Sequence, residues 1–141
     1  MEIGTYSLSK STKGNCDIVD ITDDISLLIN KNKFDEGHAL IFVGGSTVGI
    51  TTIEYEPGLR KDYPKLFSRI APENINYDHD NTWHDGNGHS HVRASIQGAS
   101  LTVPFSKGRL LLGTWQQIIL VDFDNRSRKR EITVQITGKK S

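Results

Sequence analysis

The sequence predicts an α+β fold: a single antiparallel, β-sandwich-like domain carrying about two helices. Three observations predict it. The chain has 141 residues, which suits one domain around one core. Its apolar residues fall mostly in short β-branched runs separated by close Gly-, Asn- and Asp-containing turns, the pattern of antiparallel neighbours. Only two stretches show helical spacing. The count that follows is about two helices and roughly seven to nine strands, with residues 1–141 as one domain.

Each element has its reason. Tyr6 to Ser11 and Asp17 to Ile21 read as strands joined by the Lys13-Gly14-Asn15 turn. Thr22 suits an N-cap, with Asp23 and Asp24 in the first turn, where the helix dipole favours acids. Ile25, Leu28 and Ile29 then carry a short helix to about Asn30. Ala39 to Val43 is an apolar run fit for a buried strand, and Gly44-Gly45-Ser46-Thr47 interrupts it before Val48 to Tyr55 resumes. Pro57 suits the first turn of a second helix. Leu59, Tyr63, Leu66, Phe67 and Ile70 give it an apolar face; Pro64 predicts a kink or two short helices, and Pro72 a stop. Ala94 to Ile96, Ser100 to Pro104, Arg109 to Leu112, Trp115 to Phe123 and Arg130 to Thr137 follow as strands, with turns at Ser106-Lys107-Gly108 and Asp124-Asn125-Arg126.

Composition narrows the function. Lys plus Arg equals Asp plus Glu, at 17 each, so the chain lacks the basic balance of a general nucleic-acid binder. No apolar run approaches the ~20 residues needed to span a bilayer, and the N-terminus lacks a signal-peptide layout. Neither nucleic acid nor membrane is an expected partner, and the expected location is cytoplasmic. Cys16 is the only cysteine, which excludes an internal disulfide and a multi-cysteine zinc site. It reads as a half-buried residue rather than a catalytic thiol.

Chemistry concentrates between His79 and Arg93, which holds four of the five histidines; His38 lies apart. On a strand, His89 and His91 would share a face and could hold one ion, with His79 or His84 as a third ligand. Asp80 and Asp85 would orient the imidazoles, and Gly86 and Gly88 would let the backbone bend around the ion. A hydrogen-bonded or pH-sensing cluster is the competing reading.

Elsewhere the signals are weaker. Glu54, Glu56 and Asp62 stand where a strand passes into a helix; a general base or ligand competes there with a solvated helix acid. Gly45, Ser46 and Thr47 offer N–H groups and hydroxyls to an anion, without the lysine or spacing of a P-loop. Arg93, Ser95 and Arg109 would complete a phosphate clamp if they converge. Trp115 and Gln116 suit a substrate wall or subunit interface, against an ordinary core role for the tryptophan. The Arg126–Arg130 charge run reads as a solvated turn.

Five blocks then share one pattern: Asp20-Ile21-Thr22; Gly45-Ser46-Thr47 with Thr51-Thr52-Ile53-Glu54; Gly88-His89-Ser90-His91-Val92-Arg93-Ala94-Ser95; Gly98-Ala99-Ser100-Leu101-Thr102-Val103-Pro104; and Gly108-Arg109-Leu110 with Leu112-Gly113-Thr114-Trp115-Gln116. In this order they resemble the YjbQ family, also called UPF0047, over nearly the whole chain. The resemblance implies a compact α+β sandwich assembled as a homotrimer. It implies a polar, histidine-lined pocket near subunit contacts, often with a metal, and a secondary thiamine phosphate synthase activity. By position it implies His79, His89 and His91 as metal or catalytic residues, Glu54 as the family acid, and Trp115 and Gln116 as pocket or interface. One departure stands out. Many members have His-Thr-Thr where this chain has Gly45-Ser46-Thr47, and His84 is the nearest replacement for the missing imidazole.

Three functions compete at this stage. The first is a thiamine-phosphate-synthase-like enzyme with a divalent ion, zinc above all, acting on phosphorylated small molecules; Asp85 and Arg93 join Glu54, Trp115 and Gln116 as its catalytic candidates. The second is a protein that binds a metal or small ligand without turnover. The third is a metal-dependent hydrolase with Glu54 or Asp85 as base.

Overall fold

A computed structural model describes Met1–Ser141. The elements run β1 (Glu2–Thr12), β2 (Asp17–Asp20), α1 (Thr22–Lys31), β3 (Phe34–Val43), β4 (Val48–Ile53), α2 (Pro57–Ile70), α3 (Asp78–Trp83), α4 (Gly88–Gln97), β5 (Ser100–Ser106), β6 (Arg109–Leu110), β7 (Gln117–Asp122) and β8 (Arg128–Lys140). Every strand pairing is antiparallel. One sheet has the order β1-β8-β3-β5-β6 and the other β2-β7-β4. The predicted α+β, sandwich-like fold class holds.

β7 shows why the layers stack as they do. Ile118 to Asp122 are all buried, and successive strand side chains point to opposite faces. Ile118 and Leu120 join the core beneath the larger sheet, with Ile25, Ile41 and Val134. Ile119 and Val121 turn the other way, toward Cys16, Phe67 and Ala94. The small sheet is thus sandwiched between the large sheet on one side and α2 and α4 on the other. Fully burying each such aliphatic side chain stabilises by about 1.5–3 kcal/mol. None of the four helices is long and apolar enough to cross a membrane.

The helix count is where the sequence reading fails. There are four helices rather than two, because the histidine segment contains α3 and α4. The expected Ala94 to Ile96 strand is the interior of α4, whose buried positions include Ser90, Arg93 and Ala94. Apart from Ala94, the side chains of that helically spaced stripe are polar, so no hydrophobic periodicity marks it. Thr22 is the first helical residue and not the N-cap. Its hydroxyl donates to Asp20 Oδ1 at 2.7 Å and accepts from the Ile118 amide at 2.8 Å, docking α1 onto β7. α2 runs unbroken through Pro64. Glu56 caps it by accepting from the Gly58 and Leu59 amides. Strand ends also shift: β1, β3 and β8 outrun their predicted spans, while β4 stops at Ile53, β6 at Leu110, and β7 begins only at Gln117.

Candidate functional site

Both the loop into β4 and the corner after β7 lie at one end of the small sheet, since Val48 pairs with Asp122. The histidine segment packs over the same end. α3 carries His79 and Asp80, and the turn beyond it carries Asp85. One ligand atom from each of these three lies within 4.8 Å of the others. His79 Nδ1 is 3.6 Å from Asp85 Oδ1 and 3.9 Å from Asp80 Oδ1. That nitrogen is buried and has no hydrogen-bond partner. Both acids are held from behind: Asp80 Oδ1 accepts from the Gly88 amide at 3.0 Å, and Asp85 Oδ1 from the Asn87 amide at 3.2 Å.

His91 adjoins this group without joining it. Its ring lies 4.2 Å from that of His79, tilted by 38°. On the other side it lines a cleft of about 440 Å³ together with Gly45, Ser46, Ser95 and Gly98. Burial and the neighbouring His79 hold His91 below the ordinary histidine range. Neutral imidazole, the form that binds metals, therefore dominates at neutral pH.

His89 departs from expectation. In a helix, residues two apart lie about 200° around the axis, so His89 does not share the face of His91. It is buried, with Ser90 Oγ 3.4 Å from its Nε2 and the Tyr77 ring 6.5 Å away. Burial and the Arg93 charge hold it below the ordinary histidine range. His84 is exposed and ends α3 in a left-handed conformation, outside the group. His38 is exposed on β3.

The predicted phosphate clamp does not assemble. Ser95 lines the cleft. Arg93 is buried instead, donating through Nε to the Ala71 carbonyl at 2.9 Å just past the end of α2, where a cation suits the helix dipole. Arg109 sits on β6 at the edge of the larger sheet. Glu54, Trp115 and Gln116 lie at the far end of the small sheet, since Ile53 pairs with Gln117. Five residues of strand put them about 17 Å from the histidine end. Trp115 is 72% exposed, not core. Gln116 donates to Thr52 Oγ1 at 3.2 Å. Cys16 is buried, and burial above all pushes its thiol up to about 11, with Arg93 opposing and Asp17 adding; a thiol so held is a poor nucleophile.

The charge run after β7 is not simply solvated. Arg130 is buried and grips buried Asp122 through Nε at 2.7 Å and Nη2 at 2.9 Å. Arg128 Nε donates to Asp124 Oδ2 at 3.1 Å. Arg130 Nη2 also donates to Thr47 Oγ1 at 2.7 Å. A Cβ on Gly45 would stand 2.9 Å from Arg130 Nη1 and from Val48 Cγ1. Any side chain at position 45 would therefore have to displace a locked arginine. A signal for this network was available: two acids and two arginines, each pair spaced by two, flank the one turn between β7 and β8.

A family model described as UPF0047 protein YjbQ-like matches residues 6–139. The chain belongs to the YjbQ-like UPF0047 family. Within that family, a UPF0047 protein of Methanocaldococcus jannaschii is 38% identical over 125 residues, covering 88% of this chain and 87% of its own. The UPF0047 protein YugU of Bacillus subtilis is 34% identical over 131 residues, covering 92% and 95%. Among solved structures, a protein of unknown function from Sulfolobus solfataricus superposes with a TM-score of 0.87 at 32% identity, over 98% of this chain and all of its own. An uncharacterised YjbQ/UPF0047 protein of Clostridium acetobutylicum gives 0.86 at 30% identity, over 94% and 99%.

Proposed function

We propose that this YjbQ-like protein binds one divalent ion, zinc by preference, at His79, Asp80 and Asp85, and takes a phosphorylated small molecule in the adjoining cleft. The observation that carries the reading is the buried, unpartnered His79 Nδ1 facing two carboxylates. Zinc–ligand bonds of about 2.0–2.1 Å place tetrahedral ligand atoms roughly 3.3 Å apart. The spacings of 3.6 and 3.9 Å are only slightly wider. An imidazole with carboxylates suits zinc better than magnesium, which prefers oxygen donors and keeps its water. The backbone amides behind both acids supply the support that ligating carboxylates need. When bound, the ion would supply positive charge beside the cleft.

The chain's own groups do the rest. Ser46 offers a hydroxyl, and the Gly45-Ser46 turn its amides, to a phosphate in the cleft, while the Ser95 hydroxyl is spent on the His91 carbonyl at 2.9 Å. Neutral His91 stands between cleft and ion site, where it can accept or pass a proton. The family resemblance makes thiamine phosphate synthesis, with pyrophosphate as the leaving group, the first reaction to assay. It also makes a homotrimer the assembly we propose. In support, the outer face of the larger sheet exposes Leu40 and Phe42.

Elemental analysis of untagged protein reloaded with zinc tests the ion site. The expected result is about one ion per chain in the wild type, and none in a His79→Ala, Asp85→Ala double variant that still folds. A folded wild type that takes up no zinc would overturn the reading.

A further inference from the structure

The corner that follows β7 is a rigid unit. Asp122 and Asp124 are almost wholly buried, and a buried carboxylate is tolerated only when paired and hydrogen-bonded. Arg130 and Arg128 neutralise them, and Thr12 Oγ1 donates to Asp122 Oδ2 at 2.5 Å. From this anchored corner the chain reaches both walls of the candidate site.

Toward the cleft, the Phe123 amide donates to the Thr47 carbonyl and Thr47 Oγ1 donates to Asp124 Oδ2, each at 2.9 Å. Toward the histidine segment, the Asn125 amide donates to Asn87 Oδ1 at 3.1 Å, and Asn125 Nδ2 donates to the Asp85 carbonyl at 2.8 Å. Asn87 is itself buried and holds the Asp85 carboxylate through its amide at 3.2 Å. Asp85 is thus gripped twice: its side chain by Asn87, and its backbone by Asn125, which also holds Asn87.

We infer that Asn125 is a positioning residue that sets Asp85 against His79 and so fixes the geometry of the ion site. The inference rests on the metal reading above. Asp85 is exposed and follows the left-handed His84 in a short turn, where the Asn87 amide is the local tether of its side chain and Asn125 holds its backbone from across the fold. Asn125 is also exposed, and its side-chain bond to the Asp85 carbonyl contributes little to global stability. Its effect falls on the placement of one carboxylate.

The test compares full-length wild type, His79→Ala, Asn125→Ala and Asn125→Leu. Asn125→Leu keeps nearly the same side-chain shape, adds no charge and removes the Nδ2 donor. Zinc affinity is measured by competition with a chelator, and thermal unfolding is followed on metal-free protein. Both Asn125 variants are expected to bind zinc roughly tenfold or more weakly, the range for groups that support ligands, with unchanged metal-free melting. Equal affinity in wild type and both Asn125 variants, with binding lost in His79→Ala, overturns this inference alone. A fall in metal-free melting that accounts for the weaker binding makes Asn125 structural and also overturns it. A wild type that binds no zinc removes the metal reading and this inference together.

Discussion

Asp124 is the residue on which the site's architecture bears hardest. Burial alone pushes its carboxyl up, but hydrogen bonds from Thr47 and Asn87 and the Arg128 charge outweigh burial and hold it below the ordinary carboxylate range. Folding therefore favours the ionised form. The stability this confers is complete above the unfolded value, about pH 3.9. It is lost as pH falls through the lower folded value. Asp124→Asn removes one partner from a buried ionic network, and the expected cost at neutral pH is roughly 3 kcal/mol. Urea unfolding of both proteins at neutral pH and below about pH 4 checks this: the gap should close as the medium acidifies. A constant gap would mean that Asp124 acts through packing rather than charge. At this scale the sequence was half legible. The histidines and their acidic neighbours stood out by type. That His79 rather than His89 meets the acids depends on helical geometry, and Asn125 gave no local sign of its role across the fold.

At the scale of elements, the strands and the two amphipathic helices α1 and α2 were read well, while α3 and α4 were missed, for one physical reason. A strand of a two-faced sheet shows alternation or an apolar run whichever partner it finds, so β3, β5, β7 and β8 were visible. α4 buries Ser90, Arg93 and His89, and no hydropathy pattern betrays a helix that hides polar groups for a site. Its N-terminal glycine is the better clue. A Cβ on Gly88 would run into Tyr77, with Cγ at 2.8 Å and Cβ closer still, and into Asp80 Oδ1 at 3.2 Å. The helix can thus sit against the Tyr77 segment only if residue 88 lacks a side chain. Gly88→Ala gains helix propensity yet is expected to destabilise the fold by about 1–3 kcal/mol through overpacking. Because Asp80 accepts from the same amide, zinc affinity should fall with it. Thermal unfolding and chelator competition on the one variant measure both. A stabilised variant would show that the helix can shift away from Tyr77 at no cost.

For the whole molecule, the assembly we propose turns on the outer face of the larger sheet. The inner face of that sheet is covered by the core, with Ala39, Ile41 and Val43 buried on β3. Its outer face presents Leu40 between Thr102 and Gln135, and Phe42 between Ser100 and Thr133. Leu40 is 37% exposed and Phe42 46%. An apolar centre whose direct neighbours are uncharged hydroxyl and amide groups matches the composition of interface cores. A second copy of the chain is the occupant we propose, and heterologous contacts that close on themselves produce rings such as a trimer. Leu40→Lys combined with Phe42→Lys places two like charges on that face while leaving the inner core untouched. The expected result is dissociation from three times the chain mass to one in sedimentation equilibrium, with unchanged circular dichroism. An assembled double variant would move the contact elsewhere, with the exposed Trp115 loop the next surface to charge. A wild type that sediments as a monomer would end the trimer proposal. The zinc titration of His79→Ala would be unaffected by that outcome, because His79, Asp80 and Asp85 all come from one chain.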